Sequence, residues 1–122
     1  CWMCRMVSFE GDKKVADIKL RHIKNIAEQA STADNINRIV LFGSATEERC
    51  TERSDIDIAV FGDLSKAAYL RSKEFKQFQD RVFLFDMDQD YDILYFSENK
   101  NNLDPILQNI YMGTEIYRRD RT

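Results

Sequence analysis

The feature that most limits what this chain can fold into is a pair of apolar runs set close together. Arg38-Ile39-Val40-Leu41-Phe42 is unbroken and rich in β-branched and aromatic residues, the pattern of a strand buried on both faces. It stops at Gly43-Ser44, and after the polar and charged stretch from Ala45 to Ser54 the chain alternates as Asp55-Ile56-Asp57-Ile58-Ala59-Val60 before ending at Phe61-Gly62. Alternation at period two predicts a second strand that is polar on one face.

Around these strands the spacing predicts helices. Residues 12–31 place Val15, Ile18, Ile23, Ile26, Ala27 and Ala30 on one arc at helical spacing, which predicts an amphipathic helix with one buried face. His22, the only histidine, falls inside that arc and reads as a hydrogen-bonded packing residue. Residues 63–86 read as mainly helical, with Phe75, Phe78, Val82 and Phe85 forming a core-facing stripe and Phe83 and Leu84 lying off it. Tyr91 to Phe96 predicts a third strand. Asp104-Pro105 has the form of a helix cap followed by proline in the first turn, opening a helix through Ile106, Leu107 and Ile110 that Gly113 can close. Glu115 to Tyr117 reads as a final edge strand.

The resulting order of helix, strand, strand, helix, strand, helix describes one α/β unit of α+β character. Its 122 residues suit a single domain spanning 1–122. With 43% hydrophobic and 32% charged residues and no apolar run near membrane-spanning length, the chain falls outside the membrane and disordered classes. A formal charge of -3 argues against nucleic acid as partner, because no dense basic patch offsets it. Arg118, Arg119 and Arg121 read as a solvated end. The odd number of cysteines, Cys1, Cys4 and Cys50, without a visible signal peptide leads us to expect a reducing, cytoplasmic setting. Cys1 and Cys4 lack the second Cys or His pair that a zinc site needs.

Chemistry concentrates in the acidic residues. Asp55 and Asp57, two apart on a strand, project from one face while Ile56 and Ile58 turn inward. Two carboxylates held that close repel unless a cation sits between them, and an oxygen-only donor set favours magnesium or manganese. If the strand Tyr91-Asp92-Ile93-Leu94-Tyr95 pairs beside the second strand, Asp92 joins the same face. Three aspartates can then hold two metals across a phosphoryl displacement, with Asp92 the candidate base for an incoming hydroxyl. Gly43 allows a close backbone approach to phosphate, and Ser44 can donate to it. Asp86, Asp88, Asp90 and Asp92 also alternate like a calcium loop, but the places that need glycine and glutamate hold Tyr91 and Ser97.

Gly43-Ser44, ten intervening residues, then Asp55-Ile56-Asp57, flanked by VLFG and DIAVF, resembles the signature of the polymerase-beta-type nucleotidyltransferase superfamily, and within it the minimal nucleotidyltransferases. The likeness runs over about residues 38–117, taking in DILYF and LQNIYMGTEIY. It implies the polymerase-beta-like fold, a small mixed sheet with helices mainly on one face. It implies too that Gly43 and Ser44 bind phosphates of a nucleoside triphosphate, that Asp55 and Asp57 ligate Mg2+ or Mn2+, and that Asp92 is the third carboxylate. The family's usual arginine after Gly-Ser and glycine three residues on are replaced by Ala45 and Glu48, so Arg49 and Arg53 become the candidates for positive charge near the phosphates. Minimal nucleotidyltransferases pair with helical HEPN-type proteins in toxin and antitoxin operons. The resemblance therefore implies transfer of AMP from ATP to a partner protein. The alternatives are a non-catalytic antitoxin-like binder of the same fold and a transferase acting on a small molecule such as an antibiotic.

Overall fold

The computed structural model describes residues 5–10, 13–33, 35–98 and 106–119. The chain runs β1 (Met6–Glu10), β2 (Lys13–Ala16), α1 (Leu20–Ser31), β3 (Arg38–Phe42), β4 (Ile56–Gly62), α2 (Lys66–Leu70), α3 (Lys73–Phe85), β5 (Tyr91–Ser97), α4 (Ile106–Tyr111) and β6 (Thr114–Arg118). Four strands form a mixed sheet in the order β5-β4-β3-β6, and β1 pairs with β2 as a separate antiparallel ribbon.

The two apolar runs become neighbouring antiparallel strands, β3 against β4. Each is buried on both faces because alternate residues serve two cores. Ile39, Leu41, Ile56, Ile58 and Val60 meet Ile23 and Ile26 of α1 and Phe78 and Val82 of α3. On the opposite face Val40, Phe42, Ala59 and Phe61 meet Phe96, Leu107 and Ile110, so among the described residues α4 covers that side while the longer helices cover the other. β4 and β5 run parallel, a pairing that requires a crossover connection, and α2 and α3 supply it. Among the described residues, no helix is long and apolar enough to cross a membrane.

Two predicted helices are corrected. The expected helix over residues 12–31 begins only at Leu20: Lys13–Ala16 is a strand whose Val15 pairs with Val7, followed by a short 3-10 turn at Asp17–Lys19. Val15 is fully buried in the main core, whereas Ile18 is exposed. The helical stretch over residues 63–86 is broken at Arg71 and Ser72, because Ser65 and Ser72 each cap a new helix, their Oγ atoms accepting from Ala68 N at 3.2 Å and Phe75 N at 3.1 Å. Within the aromatic stripe Phe78 and Val82 are buried as expected, but Phe85 is exposed and packs edge-on against His22.

His22 is buried, as its place in the arc requires, and its Nε2 lies 2.8 Å from Asp86 Oδ2. That bond and the Asp88 backbone N–H hold the Asp86 carboxyl below the usual range. An ionised carboxylate only accepts, so Nε2 is the donor. The final strand is longer than expected by one residue at each end and forms a sheet edge. The expected Asp104-Pro105 cap, Cys1, Cys4 and Arg121 lie outside the described residues.

Candidate active site

Register brings the acidic residues together. β3 and β4 pair so that Phe42 stands opposite Asp57, and β4 and β5 pair so that Asp57 stands opposite Asp92. Side chains level with one another on adjacent strands share a face. Asp57 and Asp92 therefore project together on the α4 side, past the end of the core formed by Val40, Phe42, Ala59 and Phe96. Asp55 immediately precedes β4 rather than lying within it.

The first turn after β3 closes over this row. Gly43 has φ of 75°, a left-handed conformation that only glycine adopts without strain, and any Cβ there would collide with Asp57 Oδ2. Glycine is thus fixed twice, by backbone conformation and by the carboxylate lying against it. Residues Gly43–Thr46 form a 3-10 turn, locked by Thr46 Oγ1 donating to Gly43 O at 2.7 Å and Glu47 N donating to Ser44 O at 2.9 Å. At the same end of the sheet Gly113 lets the turn after α4 approach β3, since a Cβ there would meet Leu41 O.

Between these turns lies an open cleft of about 540 Å³ lined by Phe42, Gly43, Thr46, Glu47, Arg49, Asp57, Met112 and Gly113. Its charge is net acidic. Among the described residues, Asp57 and Glu47 face a single cation there, Arg49, which is ion-paired with Glu47. Burial pushes the Asp57 carboxyl above its usual range, and the charges of Asp92 and then Asp55 push it further in the same direction. Asp55 and Asp92 are themselves exposed.

The predicted residues are thus divided by the structure. Gly43, Asp57 and Arg49 line one cleft, with Asp92 and Asp55 close enough to act on Asp57 electrostatically. Ser44 is half-buried and Thr46, which the sequence reading passed over, lines the cleft in its place. Arg53 is not brought to the Gly43 cleft. A turn in which Ser54 N donates to Thr51 O at 3.0 Å and Thr51 N to Ser54 Oγ at 2.9 Å turns it toward a second cleft shared with Ile18, Lys19, His22 and Asp86.

Among the described residues, no three His, Cys, Asp or Glu side chains close into a ready-made metal cage. The oxygen-only set of Asp55, Asp57 and Asp92 has the chemistry of a hard divalent ion site. An acidic cleft repels a triphosphate, so a cation is also what would let Gly43 and Arg49 meet phosphate at all. Tyr91 and Tyr95, pushed up to about 12 chiefly by burial, are no proton carriers near neutral pH.

Comparison with curated proteins returned no match. The family model described as polymerase beta, nucleotidyltransferase matches residues 23–122, a span that begins within α1 and contains Gly43, Asp55, Asp57 and Asp92. With most of the chain aligned to that family, and with the glycine turn seated on the middle strand's aspartate, the chain belongs to the polymerase-beta-type nucleotidyltransferase superfamily.

Proposed function

We propose that this chain transfers a nucleoside monophosphate, AMP from ATP, to a hydroxyl on a partner protein of the helical HEPN type. The observation that carries this reading is the level row of Asp57 and Asp92 on parallel neighbours, with Asp57 lying against Gly43. A glycine turn lying against one of two level carboxylates supports this reading.

Asp55, Asp57 and Asp92 are the residues that would hold divalent metal. Magnesium or manganese, when bound, supplies positive charge against the triphosphate and its developing negative charge. The chain's own residues do the rest. Gly43 offers backbone without a side chain in the way, and Arg49 stands at the cleft mouth for a phosphate oxygen once it leaves Glu47. Asp92, exposed at the start of β5, accepts the proton of the attacking hydroxyl. The hydroxyl oxygen bonds to the α-phosphorus, the bond from that phosphorus to the bridging oxygen breaks, and pyrophosphate leaves. Tyr111 and Met112, 64% and 81% exposed, put apolar surface beside the cleft, which favours a protein acceptor over a small polar one.

The test is incubation of the chain and its partner with α-labelled ATP and Mg2+. Label should appear on the partner with wild type and be lost with Asp57→Asn. Equal labelling by both would rule out catalysis at this site. Neutralisation of the partner that persists in Asp57→Asn would favour the non-catalytic binder.

A further inference from the structure

Two buried polar side chains outside the cleft are tied to the loops that carry the carboxylates. Lys19, only 2% exposed, donates from Nζ to Glu52 O at 3.0 Å and to Gln89 Oε1 at 2.6 Å. Gln89, 6% exposed, donates from Nε2 to Ser54 O at 3.0 Å and to Asp90 O at 2.7 Å. An ammonium only donates and carbonyls only accept, so the orientation of the Gln89 amide is fixed by its surroundings. Asp90 O also accepts from Ile56 N at 3.0 Å.

The network joins residues 52–56 to residues 89–90, the two chain segments that lead into β4 and β5. The sheet ladder itself begins at Ile56 opposite Tyr91 and already fixes Asp57 beside Asp92. Asp55 lies outside that ladder. Its place depends on the segment before it, which is held at Glu52 O and Ser54 O, on either side of Arg53 and directly before Asp55. Burying a lysine ammonium is expensive unless its hydrogen bonds are made, and here the acceptors are these loop atoms. Lys19 itself precedes the span that matches the family.

We propose that Lys19 and Gln89 are positioning residues for the carboxylate cluster, a clamp that holds Asp55 within reach of the cation shared with Asp57 and Asp92. The proposal rests on the metal-dependent reading of the site. Groups bonded directly to metal ligands commonly change metal affinity by about 10- to 100-fold when removed, and Lys19 and Gln89, which bond the backbone beside Asp55 rather than its carboxylate, should act at the lower end of that range. Their effect should pass through Asp55 and leave the ladder pairing of Asp57 with Asp92 unchanged.

The experiment measures Mn2+ affinity by electron paramagnetic resonance in the presence of a non-hydrolysable ATP analogue. Because Gln89→Met alone leaves Lys19 short of an acceptor and can unfold the chain, the test variant is the double replacement Lys19→Met with Gln89→Met, which removes both partners together. It should bind Mn2+ about 10-fold more weakly than wild type, while Lys19→Arg, which keeps the donors, should stay near wild type. Asp55→Asn should weaken binding in wild type but change it less than about 2-fold in the double variant, since coupled residues are non-additive. Val82→Ala, which loosens the buried α3 packing away from the cluster, should lose stability and keep its Mn2+ affinity. The proposal is overturned if the double variant binds as wild type does, if Asp55→Asn acts equally in both backgrounds, or if Val82→Ala weakens binding as much. Absence of Mn2+ binding by wild type would instead remove the metal-dependent reading beneath it.

Discussion

Replacing Asp57 by asparagine should stabilise the metal-free protein. Asp57 and Asp92 are level on adjacent strands, and strand spacing puts such side chains about 5 Å apart. Two unit charges at that distance repel by roughly 3 kcal/mol at an effective dielectric of 20 and by roughly 0.8 kcal/mol in bulk water. Since Asp55 and Asp92 are exposed, the watery end applies and the relief is about 1 kcal/mol. For a chain of 122 residues, unfolding entropy of about 2.1 cal/mol/K per residue converts this to a rise in Tm of about 4 °C. The sign follows from the raised pKa. A carboxyl held above its usual value of 3.8 binds its proton more tightly folded than unfolded. The native state is therefore favoured below about 3.8 and loses that advantage as pH rises through the raised folded value. The gain from Asp57→Asn should be full at pH 7 and vanish near pH 3. Thermal melts in EDTA across that range are the assay. A variant less stable than wild type at pH 7, or a difference independent of pH, would refute electrostatic repulsion at this position.

Other substitutions test separate parts of the structure. Gly43→Ala meets both a left-handed backbone and the Asp57 carboxylate, so it should lower stability by at least about 1 kcal/mol in denaturant titrations. Tyr69 is fully buried, and among the described residues its hydroxyl has no hydrogen-bond partner; Tyr69→Phe should therefore raise stability by about 0.5–1 kcal/mol. Tyr95, stacked on Tyr69 at 4.0 Å, donates to Leu64 O at 2.8 Å, and Tyr95→Phe should cost about 1 kcal/mol by the same measurement. Asp86 is held below its usual range by His22 and the Asp88 N–H, so its contribution is present above the carboxylate range and lost as pH falls through it. Asp86→Asn should lower Tm at pH 7, with the difference closing as the melts are taken to acid pH.

The central strands were legible because their residues leave little choice. Ile39 to Phe42 are buried on both faces, and a run that apolar has no stable place at a surface; the second strand was expected to be polar on one face, but only Asp57 is, since Ala59 and Phe61 on that face are buried. The alternation of the second strand predicted the face on which Asp57 projects, and the pairing of β4 with β5 set Asp92 beside it, while Asp55 lies just before that ladder. The ribbon of β1 and β2 was hidden, since Val15 and Ile18 happen to extend the arc of α1 and four residues carry too short a pattern to separate strand from helix. Loop chemistry was the least visible. Nothing in the sequence of residues 45–54 tells that Arg49 pairs with Glu47 while Arg53 turns to the other cleft. Lys19 and Gln89 are single polar residues among many, and only the path of the chain gives them shared acceptors.

The acidic cleft beside Gly43 should admit a triphosphate only together with a divalent cation. Calorimetric titration of a non-hydrolysable ATP analogue into wild type and Asp57→Asn, each in EDTA and in Mg2+, measures this directly. Wild type should bind the analogue in Mg2+ and not in EDTA, and Asp57→Asn should lose most of the Mg2+-dependent gain. Binding of equal strength in EDTA and Mg2+, or a Mg2+ effect that Asp57→Asn leaves unchanged, would contradict a cation held by these carboxylates.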